Sequence, residues 1–594
     1  MTALRSERAD TSRRRFVACF SSLGLSTTLL PGVLWARLQQ DGAHRVTRDM
    51  LRDALAMAGL DVSDEDQARM LPGINQSFDR YRALRAMHID DEIAPPLYFS
   101  PLVPGTRLDR TARPFRPSAS DAVRRPANLE DIALWPITSL AHLIKTRQVT
   151  SVELTSMYLD RLKRLNPTLN CVVTFTDDLA MRQARQADAD VAAGRYRGLL
   201  HGIPWGCKDI IAVPGYPTQI GSSAFAGQLI DTEATVVRLL RDAGAVLVAK
   251  LTTGDLIQGD RWFGGRTNNP WKPSEGSGGS SAGPASATAA GCVAFAIGSD
   301  TGGSILGPSV VCGATGLRPT FGRVSRFGAA SLAWSQDRIG PLCRTVEDCA
   351  VVFHAIARAD ENDLSVVELP FNWDGSVDVR RLRVGYVAAA FREDPRQDDW
   401  RRNDAHTLDV VKALGVTLEP FDLPDVPLAV TDGLRWAESG ASFDVPLRDG
   451  RLQKSGNTDR VNGFRVGRLE LAVEYLQAQR VRAMIMRRFA GVVSKFDVYI
   501  APYMNAREPG RGGPGVFGAP PPASVIAQHF QISNLCGYPA LAVPNGFTAD
   551  GTPTGITFLG RLYAESQILA LAKAYQDRAG WHLKHPPLAL EPRR

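Results

Sequence analysis

Hydrophobic and polar positions follow two different patterns along the chain, and the change falls at about residue 126. Before it, VTRDMLRDALAMAGL and DEDQARMLPGINQSFDRYRALRAMHI place apolar residues at helical spacing, which predicts helices. The proline-rich run APPLYFSPLVPGTRLDRTARPFRPSAS then predicts an extended segment along the surface. Residues 37–125 are therefore expected to form an N-terminal extension, helical first and then proline-rich.

After residue 126, helical runs alternate with short β-branched runs. ITSLAHLIKTRQVTSVELTSMYLDRLKRLNPTLNCVVTF predicts two helices and a strand, and EATVVRLLRDAG followed by AVLVAK predicts another helix and strand. This alternation predicts an α/β fold with a sheet inside helices. Residues 355–495 are more helical and less regular, and the run REPGRGGPGVFGAPPPAS at 507–524 predicts a loop.

Charge and cysteine usage argue against several functions. The 594 residues carry a net charge of +7, from 69 basic and 62 acidic residues without a long basic run, which argues against a nucleic-acid partner. The 8 cysteines form no Cys-x-x-Cys pair, so buried free thiols are expected rather than disulfides or a zinc site. They are Cys19, Cys171, Cys207, Cys292, Cys312, Cys343, Cys349 and Cys536. The close pair His582 and His585 is expected at the surface, so no metal site is indicated.

The N-terminus resembles a twin-arginine export signal. Arg13 and Arg14 precede a moderately apolar stretch that reaches Ala36. The alternative is an N-terminal membrane anchor, but the stretch is short and diluted by serine and threonine, which makes a poor membrane span. We expect residues 1–36 to be a signal peptide, and the mature protein to be periplasmic or secreted without a stable membrane span.

Two glycine motifs match known signatures by letters alone. Gly510-x-Gly512-x-x-Gly515 has the spacing of a dinucleotide-binding turn but lies in the proline-rich loop. The run from Gly279 to Gly283 reads G-x-S-x-G, but a nucleophile elbow needs a strand before it, and TNNPWKPSEGSG does not form one. We therefore expect neither function.

The run GSGGSSAGPASATAAGCVAFAIGSDTGGSILGPS contains two tight Gly-Gly-Ser turns around an apolar segment. Successive glycines let backbone N–H groups converge on one point, and such a nest beside a hydroxyl suits acyl transfer. Upstream, HGIPWGCKDI places Lys208 in an apolar run. A lysine desolvated there would lose its proton near neutral pH and could serve as a base.

These motifs together resemble the amidase signature family of serine hydrolases. The resemblance rests on Lys208 after GIP, on GGSS, GSDTGGSI and GLRPTFGRVSRFG, and on the 24-residue spacing from Ser280 to Ser304. NNPWK upstream and NLCGYPALAVPNGFTADGTPTGITFLG downstream extend it over roughly residues 130–590. It implies a mixed central sheet surrounded by helices, within one family domain spanning residues 126–594.

The resemblance implies a catalytic role for each matching residue. Ser304 would be the nucleophile, and Ser280, after a cis peptide bond from Gly279, would link it to Lys208. Lys208 would start neutral, take a proton through Ser280 and return it to the leaving amine. Backbone N–H groups would form the oxyanion hole, namely those of Thr301, Gly302, Gly303 and Ser304. Water would then release the acyl group, with no metal or organic cofactor required.

Other polar residues near these motifs are expected to act as structural supports. Ser277 and Ser281 are expected to be supporting hydroxyls, and Asp209 and Asp300 to hold backbone. The arginines of the downstream motif are expected to be structural, and Cys207 could line the pocket. Those arginines are Arg318, Arg323 and Arg326.

Two positions depart from the family pattern. Leu306 stands where the family commonly has arginine, which makes an anionic substrate group less favourable. Trp205 stands where a smaller residue is usual, which suggests a narrowed pocket. The pocket walls are expected from residues 355–525, and the extension at 37–125 is expected to cap the mouth of the site.

The sequence thus predicts an exported amidase that cleaves small uncharged amides, anilides, carbamates or esters through an acyl-enzyme. One alternative is the A subunit of a tRNA-dependent amidotransferase, which releases ammonia from glutamine; an export signal would be incompatible with that cytosolic work. The other is a non-catalytic binding protein on the same fold. The expected partner is a small-molecule amide, and a homo-oligomer stays open.

Overall fold

The computed structural model describes residues 45–85, 87, 99–118, 122–504 and 524–590. The predicted signal peptide, Cys19 and the Gly510 motif lie outside the described residues. The longer helices are α1 (Arg48–Met57), α2 (Asp64–Arg85), α3 (Ile137–Lys145), α4 (Ser151–Leu169), α5 (Asp177–Ala192), α6 (Thr235–Asp242), α7 (Ala282–Ala289), α8 (Leu306–Cys312), α9 (Val346–Ile356), α10 (Ala388–Arg392), α11 (Asp398–Ala413), α12 (Asp432–Ser442), α13 (Asp444–Arg448), α14 (Thr458–Gly467), α15 (Ala472–Val493), α16 (Val525–Leu535) and α17 (Glu565–Ala579).

A mixed sheet of 11 strands runs through the described part of the chain, in the order β1-β3-β2-β6-β8-β7-β12-β13-β11-β9-β10. The strands are β1 (Val172–Phe175), β2 (Pro204–Lys208), β3 (Val246–Leu251), β6 (Phe295–Asp300), β7 (Thr315–Arg318), β8 (Arg338–Cys343), β9 (Val384–Val387), β10 (Leu418–Phe421), β11 (Val498–Pro502), β12 (Ala540–Phe547) and β13 (Pro553–Gly560); β4 (Arg261–Trp262) and β5 (Gly265–Arg266) form a separate pair. The predicted α/β class, with a mixed sheet among helices, is confirmed.

The centre of the sheet brings two strand ends together. Strand β2 is parallel to both of its neighbours, β3 and β6, with Cys207 opposite Ile297. Parallel strands present their carboxyl ends at the same edge of a sheet, where loops carry functional groups. Lys208 ends β2 and Asp300 ends β6, so the two motifs that the sequence separates meet at one edge.

Helix α7 shows why the serine-rich run is not a linker. Every residue of the helix is buried. A Cβ on Gly283 would lie 2.4 Å from the Thr252 N atom and 2.5 Å from the Cys171 carbonyl oxygen, so the helix packs close to the sheet only because this residue is glycine. The small residues of the run therefore serve close packing.

The described residues before 126 begin with two helices and continue as an extended segment. Helices α1 and α2 pack together, and α2 packs on α14 and on a 3-10 turn at Leu428–Thr431. The Tyr81 hydroxyl donates to Glu470 at 2.7 Å. Within the proline-rich segment, the Arg116 N–H donates to the Trp373 carbonyl at 2.9 Å, and the Gly375 N–H donates to the Arg116 carbonyl at 2.9 Å. The described part of that segment, residues 99–118, therefore lies extended on the body of the protein.

The described cysteines are all buried and free, as predicted; they are Cys171, Cys207, Cys292, Cys312, Cys343, Cys349 and Cys536. His582 and His585 are both half-buried at the edge of the described chain. The neighbouring Trp581 packs on Phe547, with ring centroids 5.9 Å apart, and draws this turn onto the sheet. Among the helices of the described residues, none has the length and apolar character needed to cross a bilayer.

Candidate active site

Lys208 is fully buried at the carboxyl end of β2. Its Nζ donates to Ser280 Oγ at 2.8 Å and to Ser299 Oγ at 2.9 Å. Burial lowers the pKa of Lys208 to about 7, although the charges of Asp300 and Asp337 oppose that fall. The lysine can therefore exchange a proton with a hydroxyl near neutral pH.

Ser280 reaches Lys208 from the first glycine turn. The peptide bond between Gly279 and Ser280 is cis, as the family resemblance implies. Gly279 has no room for a side chain, because a Cβ there would lie 1.9 Å from the Gly259 carbonyl oxygen. The Ser281 N–H donates to the Ser304 carbonyl at 3.0 Å, which brings the two glycine turns side by side.

Ser304 is partly exposed and follows the second glycine turn. Its hydroxyl makes no hydrogen bond to the part of the chain that the structure describes, whereas the hydroxyls of Ser280 and Ser299 are both engaged by Lys208. The Ser304 hydroxyl is thus the one of these three that is free to meet a substrate.

Asp300 organises the second glycine turn, as predicted. Its Oδ1 accepts the Gly303 N–H at 2.7 Å, and its Oδ2 accepts the Ile305 N–H at 2.9 Å and the Leu306 N–H at 3.3 Å. Because the Gly303 N–H is held by this carboxylate, it points away from a substrate. The N–H groups of Thr301, Gly302 and Ser304 are the remaining candidates for an oxyanion hole.

The sequence did not single out Ser299 or Asp337. Ser281 Oγ donates to the Ser299 carbonyl at 3.1 Å, which fits its predicted supporting role and positions Ser299 beside Lys208. Asp337 accepts the Thr301 hydroxyl at 2.6 Å and the Leu332 N–H at 2.7 Å. Ser299 could have been found as a polar residue in a buried strand end, but Asp337 gives no such local signal.

The remaining supporting residues are structural, as expected. Asp209 forms a buried ion pair with Lys250 at 2.9 Å and accepts the Gln219 N–H at 3.1 Å. Ser277 donates to the Gly278 carbonyl at 3.3 Å. The three arginines bond to other parts of the fold: Arg318 to Asn534 at 3.1 Å, Arg323 to the Leu369 carbonyl at 2.6 Å and Arg326 to Asp363 at 2.8 Å.

The expectation that Trp205 narrows the pocket was wrong. Side chains alternate across a strand, so Trp205 and Cys207 lie on the face opposite to Lys208. The Trp205 ring stacks on Phe295, with centroids 5.9 Å apart, inside the main core. Cys207 lies in the same core and does not line the site either. Leu306 is also buried, in a second apolar cluster.

The cavity beside the site is mainly walled by residues 326–339, not by the predicted 355–525. It has a volume of about 270 Å³ and reaches Ser299 and Thr301. Asp337 directly precedes β8, and the pairing of Arg338 with Asp300 of β6 brings it to the Thr301 hydroxyl at 2.6 Å. Apolar residues dominate the walls, including Ile210, Ile257, Phe327, Ala330, Leu332 and Trp334.

Two further cavities occur among the described residues. One of about 40 Å³ lies beside Gly302 and is lined by Leu428, Arg435, Phe530 and Asn534, among others. This cavity does draw on the predicted range. A much larger one, about 1510 Å³, lies between the proline-rich segment and residues 369–377, and neither Lys208, Ser280 nor Ser304 lines it.

Comparison with known proteins gives consistent matches. The family model described as Amidase matches residues 153–569. The A subunit of the glutamyl-tRNA(Gln) amidotransferase from Marinomonas sp. (strain MWYL1) is 33% identical over 491 residues, covering 76% of this chain and 98% of that protein. The putative amidase AmiD of Mycobacterium bovis (strain ATCC BAA-935 / AF2122/97) is 35% identical over 476 residues, covering 79% of this chain and 99% of that protein.

A solved structure agrees with both. The native peptide amidase from Stenotrophomonas maltophilia superposes with a TM-score of 0.64 at 27% identity, over 77% of this chain and 99% of that chain. The fold and these matches define the class of protein as a hydrolase that acts on amides. The chain belongs to the amidase signature family.

Proposed function

We propose that the protein hydrolyses small amides through an acyl-enzyme on Ser304. The observation that carries the proposal is the 2.8 Å contact from Lys208 to Ser280, made by a buried lysine whose pKa is lowered to about 7. At neutral pH about half of the protein molecules therefore carry Lys208 in its neutral form. The lysine lies next to the Ser280 hydroxyl, on the turn that contacts Ser304. That combination suits proton transfer to and from a serine nucleophile.

The proposed reaction has two stages. Neutral Lys208 accepts the proton of Ser280 Oγ while Ser280 takes the proton of Ser304 Oγ, which attacks the amide carbon. The resulting oxyanion is bound by the free N–H groups of the second glycine turn. The C–N bond then breaks, Lys208 returns the proton through Ser280 to the leaving amine, and water hydrolyses the acyl-enzyme by the same proton path.

The cavity of about 270 Å³ beside Ser299 and Thr301 favours small uncharged acyl groups. Its exposed lining is mostly apolar, and its charged residues are already bonded: Arg326 pairs with Asp363 at 2.8 Å, Asp337 binds backbone N–H groups, and Arg338 donates to Asn534 at 2.6 Å. An aliphatic or aromatic group can enter this space without leaving a buried charge unpaired. Amides, anilides, carbamates and esters of such groups are the proposed substrates.

A second candidate, a glutamine amidase, is favoured by Arg435 in the smaller cavity. Arg435 lines that cavity with Gly302, and its buried Nε has no hydrogen-bond partner among the described residues. A substrate carboxylate beside Arg435 would stabilise this cation, in competition with Asp432, which lines the same cavity. The matched amidotransferase subunits point to the same alternative.

We also propose that the chain is exported by the twin-arginine route and that residues 37–125 form an extension that covers the site. Support for the cover is the packing of α2 on the Leu428–Thr431 turn, whose residues Leu428 and Thr431 line the smaller cavity. Replacing Arg13 and Arg14 by lysine in the full chain tests export. Loss of the protein from the periplasm is expected, and unchanged export would refute this route.

The test of function is a hydrolysis panel with Ser304→Ala as the matched control. The panel holds a primary amide, an anilide, a carbamate, an ester, glutamine, and the pair pentanamide and glutaramate, which differ by a terminal carboxylate. Turnover that disappears in Ser304→Ala supports the proposal. A preference for glutamine and glutaramate over pentanamide would select the second candidate, and a folded protein without turnover would select the binding-protein alternative.

A further inference from the structure

Asn534 connects two buried arginines to the second glycine turn. Its Nδ2 donates to the Thr301 carbonyl at 2.7 Å. Its Oδ1 accepts from Arg338 at 2.6 Å and from Arg318 at 3.1 Å. Guanidinium groups only donate hydrogen bonds, so the amide oxygen must face the arginines and the amide NH₂ must face Thr301. The orientation of Asn534 is therefore fixed by its neighbours.

The two arginines place positive charge behind this amide. Arg318 is 0% and Arg338 is 2% exposed. The carboxylate nearest to Arg318 is Asp300, at 3.9 Å, and Arg338 otherwise donates to carbonyl groups such as Gln336 O at 3.0 Å. Hydrogen bonds from ionised donors are stronger than neutral ones and polarise the next bond in a chain. Asn534 is thus a polarised donor to Thr301.

The hydrogen bond to Thr301 controls the next N–H group. In a trans peptide the C=O and N–H groups point in opposite directions. Holding the Thr301 carbonyl therefore aims the Gly302 N–H away from Asn534. The Gly303 carbonyl is held in the same manner, because the Gly307 N–H donates to Gly303 O at 2.8 Å. The Ser304 N–H belongs to the same peptide group, so its direction is fixed as well. The Gly303 N–H between them is taken by Asp300.

We propose that Asn534 is a positioning residue that transmits the charge of Arg318 and Arg338 to the Thr301–Gly302 peptide and aims the Gly302 N–H at the substrate oxyanion. The proposal rests on the function proposed above. Asn534 lines the smaller cavity, but in this role it acts through one backbone donor, the Gly302 N–H, and not on the substrate directly. Because that donor is used most strongly in the transition state, its loss should lower kcat and leave substrate binding unchanged.

The test is Asn534→Asp in the full chain, with Ser533→Ala as the control. Aspartate keeps the acceptor for both arginines and the size of the side chain, but it replaces the donor to Thr301 with an acceptor. Ser533 is buried on the same helix and donates only to the Phe530 carbonyl, at 3.0 Å, among the described residues. Asn534→Ala is made alongside in case the aspartate variant does not fold.

The measured quantities are kcat, KM, the inhibition constant of an aldehyde analogue of the substrate, and Tm. In Asn534→Asp we expect kcat to fall by on the order of 10-fold to 100-fold, aldehyde binding to weaken by a similar factor, and KM to stay within about threefold. The Ser533→Ala kinetics should match the wild type, and kcat of Asn534→Asp should fall at a temperature where that variant is fully folded. A purely structural residue would lower Tm and spare kcat of the folded protein.

Different results would overturn different claims. If the wild type turns over substrate and both Asn534 variants keep kcat within about twofold of it, the positioning role is wrong and the proposed function stands. If the wild type itself turns over no substrate, the proposed function fails, and the role of Asn534 fails with it.

Discussion

Replacing Lys208 with methionine is predicted to abolish hydrolysis and to shift the relative stability towards the variant at acidic pH. Burial lowers the pKa of Lys208 from 10.5 to about 7. At pH values between these two pKa values, the unfolded chain holds a proton on Lys208 that the folded chain does not. Burial of this lysine therefore lowers the free energy of unfolding most below pH 7. The cost decreases as the pH rises from 7 towards 10.5. Methionine has no charge to bury and removes this dependence.

The magnitude follows from the two pKa values. A fall from 10.5 to about 7 corresponds to about 5 kcal/mol when both states are protonated. At pH 6 nearly all of that cost applies, whereas at pH 9 about 2 kcal/mol remains. The variant also leaves the hydroxyls of Ser280 and Ser299 without their partner, which costs about 1–3 kcal/mol each at any pH. The pH-dependent part alone is therefore about 3 kcal/mol.

The assay is urea unfolding of the wild type and of Lys208→Met at pH 6 and pH 9. The free energy of unfolding of the variant is compared with that of the wild type at each pH. Relative to the wild type, the variant should be more stable at pH 6 than at pH 9 by about 3 kcal/mol. Lys412→Met, at an exposed lysine, is the control and should show no such difference. In parallel, kcat/KM of the wild type should rise with pH and level off above about 7. A pH-dependent difference below about 1 kcal/mol would refute the depressed pKa.

Two further predictions concern the core. Trp205→Leu should destabilise the fold by on the order of 2–3 kcal/mol, because it removes a buried ring, and should leave KM unchanged; urea unfolding and kinetics on the hydrolysed substrate check this, and an altered KM would show that Trp205 does line the pocket. The 7 described cysteines should react with an aromatic disulfide reagent only after the protein unfolds, because all are buried; rapid colour release from the native protein, with Cys19→Ser removing the undescribed thiol, would contradict that burial.

The proposed catalytic trio could be found from sequence because each residue lies in a local motif with its own chemistry. A lysine in an apolar run and two Gly-Gly-Ser turns are short-range features, and the structure brings Lys208 and Ser280 within 2.8 Å. The fold class could be found for a similar reason, because alternation of helical and β-branched runs depends only on neighbouring residues. The unusual composition of α7 also has a local explanation in close packing.

The parts that could not be found depend on contacts between distant residues. Asn534 reaches Thr301 from 233 positions away, and its surroundings in the sequence contain no sign of that contact. Asp337 likewise reaches Thr301 because β8 pairs with β6, two strands that lie apart in the sequence. The errors at Trp205 and Cys207 did not arise from distant contacts. Side chains alternate along a strand, so the sequence already places both residues on the face opposite to Lys208.

The buried arginines and the buried lysine are parts of one electrostatic arrangement. Asp300 raises the pKa of Lys208, against the larger effect of burial. Three backbone N–H groups and Arg318, at 3.9 Å, face the carboxylate, and they disperse its charge away from Lys208. Arg318 therefore serves both halves of the proposed chemistry. It helps Lys208 stay available as a base, and through Asn534 it polarises the peptide that would bind the oxyanion.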